Sequence, residues 1–155
     1  MRLTTYTDYT LRIAMYLTLK YDTHELVTID EVASAYAISH NHLTKIVHEM
    51  SVQGLITTSR GRAGGMRLAR PPGSITIGEI VRWAEPDFAL VECHTTGQES
   101  SCVMFEACNL KHGFHRALEA FLGVLDGMSL LDAVSTPQAA KTLLGIPVLT
   151  VHTRS

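Results

Sequence analysis

Apolar positions recur at helical spacing almost from the start of the chain. Leu11, Ile13, Ala14, Met15 and Leu17 form a broad stripe behind Thr7 and Asp8, which predicts a helix capped by Thr7 with Asp8 suited to its positive end. Thr28-Ile-Asp-Glu31 is a capping box that opens a short helix through Val32, Ala33 and Tyr36. After a break at Ala37-Ile38, Ser39 is placed to cap a third helix. Its Leu43, Ile46, Val47 and Met50 fall at i, i+3, i+4 and i+7, and Gly54 stops it. Leu55–Arg60 and Met66–Arg70 then flank Gly61-Arg-Ala-Gly-Gly65, a hairpin pattern whose glycines tolerate positive φ. Pro71-Pro72-Gly73 closes this unit.

Two short helices across a tight turn, the second followed by a hairpin, form a winged helix-turn-helix pattern. The expected fold is mainly α with a small β wing, extended by a long dimerisation helix. Thr76 caps a helix with Ile77, Ile80, Val81 and Ala84 inward and Trp83 as a core residue, and Pro86 ends it. Residues 87–101 show no period. From His112 to Gly127, Phe114, Leu118, Phe121, Leu122 and Leu125, widened by Ala117 and Val124, make a face broad enough for the helix's own domain and a second subunit. Ser129 caps a short turn, and Thr136-Pro137 begins a helix that Gly145 closes. The expected organisation is a DNA-binding unit over residues 1–85, a cysteine-rich loop over 86–111, a dimerisation helix region over 112–135 and a C-terminal tail over 136–155.

Charge sharpens this picture. The net formal charge is only −2, yet between residues 39 and 72 Lys45, Arg60, Arg62, Arg67 and Arg70 are set against Glu49 alone, and both flanks are acidic. A basic segment between acidic ones predicts a local phosphate-binding surface. Ser39, His40, Asn41, His42 and Lys45 would meet DNA from the start of the third helix, Asn41 as a bidentate partner for adenine and Lys45 at phosphate. Arg60 and Arg62 on the wing would enter or flank the minor groove.

Cys93-x8-Cys102-x5-Cys108 crowds all three cysteines of the chain into 16 residues. Soft thiolates select zinc or iron–sulfur clusters over hard cations. No pair has the two- to four-residue gap of a zinc knuckle, whereas clusters tolerate longer, loop-like intervals. A fourth ligand must come from elsewhere. His94, His112 and His115 are near in sequence, while Asp8 and Glu85 require folding or dimerisation; spacing does not rank them. There is no nucleophile elbow, phosphate loop or His-Glu-x-x-His motif, so no enzyme is expected. No apolar run approaches the roughly 20 residues of a membrane span. Asp8 and Arg12 interrupt any signal-peptide pattern, and few cysteines without an export signal imply a reducing cytoplasm.

Three stretches carry a family resemblance: Arg2-Leu-Thr-Thr-Tyr-Thr-Asp-Tyr9, Ser39-His-Asn-His-Leu-Thr-Lys-Ile46 and Arg60-Gly-Arg-Ala-Gly-Gly-Met-Arg-Leu68. Over residues 1 to about 131 the chain resembles the Rrf-two family of bacterial winged-helix regulators, in its nitric-oxide-sensitive branch. The resemblance matches the family's cysteines to Cys93, Cys102 and Cys108. The iron–sulfur-assembly branch has a histidine ligand three residues after the last cysteine, where this chain has Lys111. The nitric-oxide branch instead implies that Asp8, donated by the partner subunit, is an oxygen ligand. The first cysteine interval is longer than the family pattern, and His112, one position along, remains an alternative. What the resemblance implies is a homodimeric repressor with one iron–sulfur cluster per subunit, 4Fe–4S in preference to 2Fe–2S. Cluster damage by nitric oxide would release it from a palindromic operator. An iron- or redox-responsive regulator of the same family and a zinc-stabilised DNA-binding protein are the alternatives.

Overall fold

The computed structural model describes residues 2–94 and 102–148; parts of the expected cysteine loop and tail lie outside the described residues. Helix α1 (Thr5–Leu19) starts earlier than the apolar stripe predicts, because Thr4 and not Thr7 takes the cap. The Thr4 hydroxyl accepts the Thr7 N–H at 3.2 Å, and Thr7 turns inward to full burial. In α2 (Ile29–Tyr36) the capping box forms as expected: Thr28 accepts from the Glu31 N–H at 3.2 Å and Glu31 accepts from the Thr28 N–H at 2.6 Å. Ala37 then adopts a left-handed φ of 52°, which reverses the chain and buries Ile38.

Helix α3 (His40–Val52) buries Leu43, Ile46, Val47 and Met50, the predicted face. Ser39 occupies its cap position, but the hydroxyl makes no capping bond. Its carbonyl accepts from His42 and Leu43 N–H at 3.1 and 3.3 Å, so the turn closes through backbone alone. The hairpin pairs β1 (Ile56–Ser59) antiparallel with β2 (Gly65–Leu68), each shorter than predicted, with Gly61, at φ 109°, and Gly64 forming the tip. Val27 pairs with Met66 through N–H···O bonds of 2.9 and 2.8 Å and covers the outer edge of β2. This close approach explains Gly65, where a Cβ would lie 2.8 Å from the Val27 carbonyl oxygen.

Helix α4 (Ile77–Ala84) is capped by Thr76, as predicted, and packs on α1. Trp83 is half-buried against the core, edge-on to Tyr6 at 6.0 Å. The long helix α5 (Asn109–Asp126) begins three residues before His112. Its Leu122 is buried and Leu118, Phe121 and Leu125 are half-buried, while Leu110 and Val124 face outward at 64% and 73% exposure. Ser129 caps α6 (Leu130–Ala133) and Gly145, at φ 66°, follows α7 (Pro137–Leu143). Leu130 is fully buried, and Val134 and Ile146 join it in the same apolar core as Ile13 and Ile80. The molecule is mainly helical with a two-stranded wing, as the pattern predicts.

Candidate nucleic-acid interface and metal centre

Burial of one side of α3 turns His40, Asn41, Thr44, Lys45 and His48 outward, and all five are exposed. Between this face and the wing runs a groove of about 700 Å³ whose walls include His40, Thr44, His48, Thr58 and Arg60. Ser39, Arg62 and Arg67 are exposed as well. Arg70 is drawn back onto Glu79 of α4, so Lys45, Arg60, Arg62 and Arg67 supply the remaining positive charge of the basic segment. Two predicted contacts have other attachments. The His40 ring lies 3.5 Å from the Asp30 carboxylate and 3.3 Å from the Thr44 hydroxyl. The His42 ring faces Tyr9 of α1 at 6.4 Å, at the seam between the two helices.

Cys93 sits in a 3₁₀ turn, Glu92–His94, and Cys108 immediately precedes α5. Cys93 and Cys108 are half-buried and Cys102 is exposed; none is in a disulfide. A cavity of about 510 Å³ separates the segment after α4 from the start of α5, with Cys93, His94, Phe105, Lys111, His112 and His115 on its walls. The His94 Nε2–H donates to the Lys111 carbonyl at 3.1 Å while its ring meets Phe114 edge-on at 6.4 Å. The Lys111 ammonium donates to the Phe105 carbonyl at 2.6 Å and stands 3.9 Å above that ring, tying the turn before Cys108 to α5. Lys111 thus has a structural task at the position where one branch of the family has a histidine ligand.

In kind, three thiols outside any disulfide, one of them (Cys93) on the cavity wall, are the soft donor set that an iron–sulfur cluster requires. They are not gathered: among the described residues no three Cys, His, Asp or Glu side chains converge at a metal-sized centre. Asp8 stands half-exposed on α1 with its carboxylate on Arg12, one turn along, at 2.9 and 3.2 Å. Glu85 is committed elsewhere. Buried at the end of α4, it accepts from the Thr4 N–H at 3.0 Å, the Thr4 hydroxyl at 3.2 Å and the Thr7 hydroxyl at 2.6 Å. His112 and His115 remain on the cavity wall.

Residues 3–136 match the Rrf2 family model, described as iron-dependent transcriptional regulators. The HTH-type transcriptional regulator NsrR of Bacillus licheniformis is 44% identical over 144 residues, spanning 93% of this chain and 99% of that protein. The chain belongs to the Rrf2 family of transcriptional regulators. The solved structure of CymR, the global cysteine regulator of B. subtilis, has a TM-score of 0.70 at 26% identity over 87% of this chain and 97% of its own. IscR of T. potens has a TM-score of 0.70 at 21% identity over 91% of each chain, a likeness of fold alone. These relatives are transcriptional regulators and not enzymes. No described helix of this Rrf2 regulator is long and apolar enough to cross a membrane.

Among the groove residues outside the first turn of the recognition helix are Thr44 and His48 on α3 and Thr58 on the wing. A signal for the first two was available, since they follow His40 at i+4 and i+8 on the side opposite the buried stripe. Nothing local marks Thr58, whose place depends on how the hairpin packs against α3.

Proposed function

We propose that this Rrf2 regulator is a homodimeric repressor that binds a palindromic operator while Cys93, Cys102 and Cys108 hold an iron–sulfur cluster, and that nitric oxide ends repression. The observation that carries this reading is the set of three thiols outside any disulfide, with Cys93 on the wall of a cavity between the exit of α4 and the start of α5 and Cys108 immediately before α5. When bound, the cluster supplies iron as the target for nitric oxide. The domain boundaries at 85, 111 and 135 belong to the same proposal, as does a dimer formed over the outward residues of α5, where Leu110 and Val124 expose apolar surface.

The chain's own residues divide the work. The three cysteines hold the cluster, with Asp8 of the partner subunit or His112 as the fourth ligand. Asp8 is a hard oxygen donor, a weaker partner for iron than sulfur, and it must turn from Arg12 to serve. Ser39 and Lys45 hold phosphate, Asn41 reads adenine, and Arg60 and Arg62 follow the minor groove, with His40 and His42 at the margin of the contact. Two-fold symmetry places the half-sites roughly 34–36 Å apart. A shift from mostly bound to mostly released requires about 5 kcal/mol of differential affinity.

The test is anaerobic purification with visible absorbance and iron and sulfide analysis, followed by nitric oxide titration against a duplex selected from randomised palindromes. The expected result is a coloured, iron-containing protein whose DNA affinity falls as the absorbance bleaches. A colourless zinc protein, or DNA affinity that ignores nitric oxide, would overturn the reading. Asp8→Ala should destabilise the cluster while His112→Ala leaves it intact; the reverse pattern assigns the fourth site to His112. On the DNA side, Lys45→Ala is expected to weaken binding across all sequences and reduce the salt slope by about 1. Affinity measured from low to moderate salt checks this, and an unchanged slope removes the residue from the phosphate contacts.

A further inference from the structure

We propose that the first turn of α1 is a joint linking the cysteine segment to the DNA-reading helix, with Glu85, Tyr6 and Glu49 as its positioning residues. The proposal rests on the cluster-dependent reading above. Its first half lies at Glu85, where the chain leaves α4 toward Cys93. Three donors from a single turn, the Thr4 N–H at 3.0 Å and the Thr4 and Thr7 hydroxyls at 3.2 and 2.6 Å, converge on one oxygen of this buried carboxylate. Hydrogen bonds to an ionised acceptor away from water are strong, and withdrawing the donors would leave an uncompensated buried charge. The root of the cysteine segment and the start of α1 therefore move together.

The second half lies on the same turn. The Tyr6 hydroxyl donates to Glu49 of α3 at 2.8 Å, and its ring meets Trp83 of α4 edge-on at 6.0 Å. One turn along α1, the Tyr9 ring faces His42 at 6.4 Å, near the opposite end of α3. The recognition helix is thus held against α1 at two points, Glu49 in its last turns and His42 in its first. A rotation of the first turn of α1 pulls on one of them and changes the angle at which α3 meets the groove. Asp8 shares this turn, so its capture by iron and its return to Arg12 bear on the same joint.

The test compares Tyr6→Phe, Glu49→Ala and Glu49→Gln with the unaltered full chain. For each, iron content, thermal midpoint and affinity for one selected duplex are measured on the loaded protein and on protein stripped of iron by anaerobic chelation. Tyr6→Phe and Glu49→Ala should load iron normally, yet the ratio of loaded to stripped affinity should shrink by about fivefold or more. Glu49→Gln, whose amide oxygen still accepts from Tyr6, should keep that ratio within about twofold of the unaltered chain. A merely structural role would lower the thermal midpoint and leave the ratio in place. If Tyr6→Phe retains the full ratio, or Glu49→Gln loses it as Glu49→Ala does, the joint is overturned and the cluster reading stands. Equal affinities in loaded and stripped unaltered protein overturn the cluster reading and the joint with it.

Discussion

Cys108→Ala is expected to emerge from anaerobic purification without iron or visible colour, and to bind operator DNA on the order of 100-fold more weakly than the loaded chain, toward the upper end of ordinary coupling energies. The chain has three thiols in all, and two with one oxygen or nitrogen donor are too few for the usual four ligands of a cluster. The substitution is a clean one for the fold. Cys108 precedes α5 but makes no side-chain capping bond, and it is only half-buried, so alanine removes the sulfur and leaves the helix start intact. Circular dichroism and the thermal midpoint of the iron-stripped forms should therefore coincide. Retention of iron by Cys108→Ala would show that the ligand set lies elsewhere.

The second large effect is expected where α4 meets the end of α5. A methyl group at Gly78 would collide with Asp126 Oδ1 and lie 2.8 Å from the Asp126 backbone nitrogen. The carboxylate can rotate away, at the expense of its bonds with Arg82, one of them 2.7 Å long. The backbone nitrogen cannot, so α5 must shift. Gly78→Ala gains up to about 1 kcal/mol of helix propensity but incurs about 1–3 kcal/mol of overpacking, and the clash should win. Urea unfolding is expected to show a net loss of about 1–2 kcal/mol. Arg82→Ala should have a smaller effect, because the ion pair it removes is open to solvent. A Gly78→Ala protein as stable as the unaltered chain would mean that the two helices do not approach as closely as described.

Both predictions concern α5, and that helix shows how far one-dimensional reasoning extends. Its amphipathic stripe is plain in the sequence, because the 3.6-residue period needs no knowledge of the partner surface. Its actual burial is not, since Leu122 meets the core while Val124, in the same stripe, stays 73% exposed. The caps divide in the same way. The Thr28–Glu31 capping box and the Thr76 cap are local, each acting across three residues, and they form as read. At the start of α1 the sequence points to Thr7 as the cap, and the structure gives that place to Thr4. The choice is made by Glu85, 78 positions beyond Thr7, which takes the Thr7 hydroxyl inward.

The candidate site was legible as chemistry rather than as geometry. Crowded cysteines, a basic segment with a glycine-tipped wing, and an exposed Asn41 beside Lys45 are all visible in the order of residues. That His42 turns toward Tyr9, that Arg70 folds back onto Glu79, and that Thr58 shares a groove with Thr44 and His48 are not. By itself, the sequence determined the helices, the wing and the types of side chain available, because caps, periodicity and turn chemistry act over a few residues. Only the tertiary structure decided which carboxylate is buried, which cations remain exposed, and which helix faces meet. Those outcomes depend on desolvation and contact between segments far apart in the chain, where neither partner carries a local mark of the other.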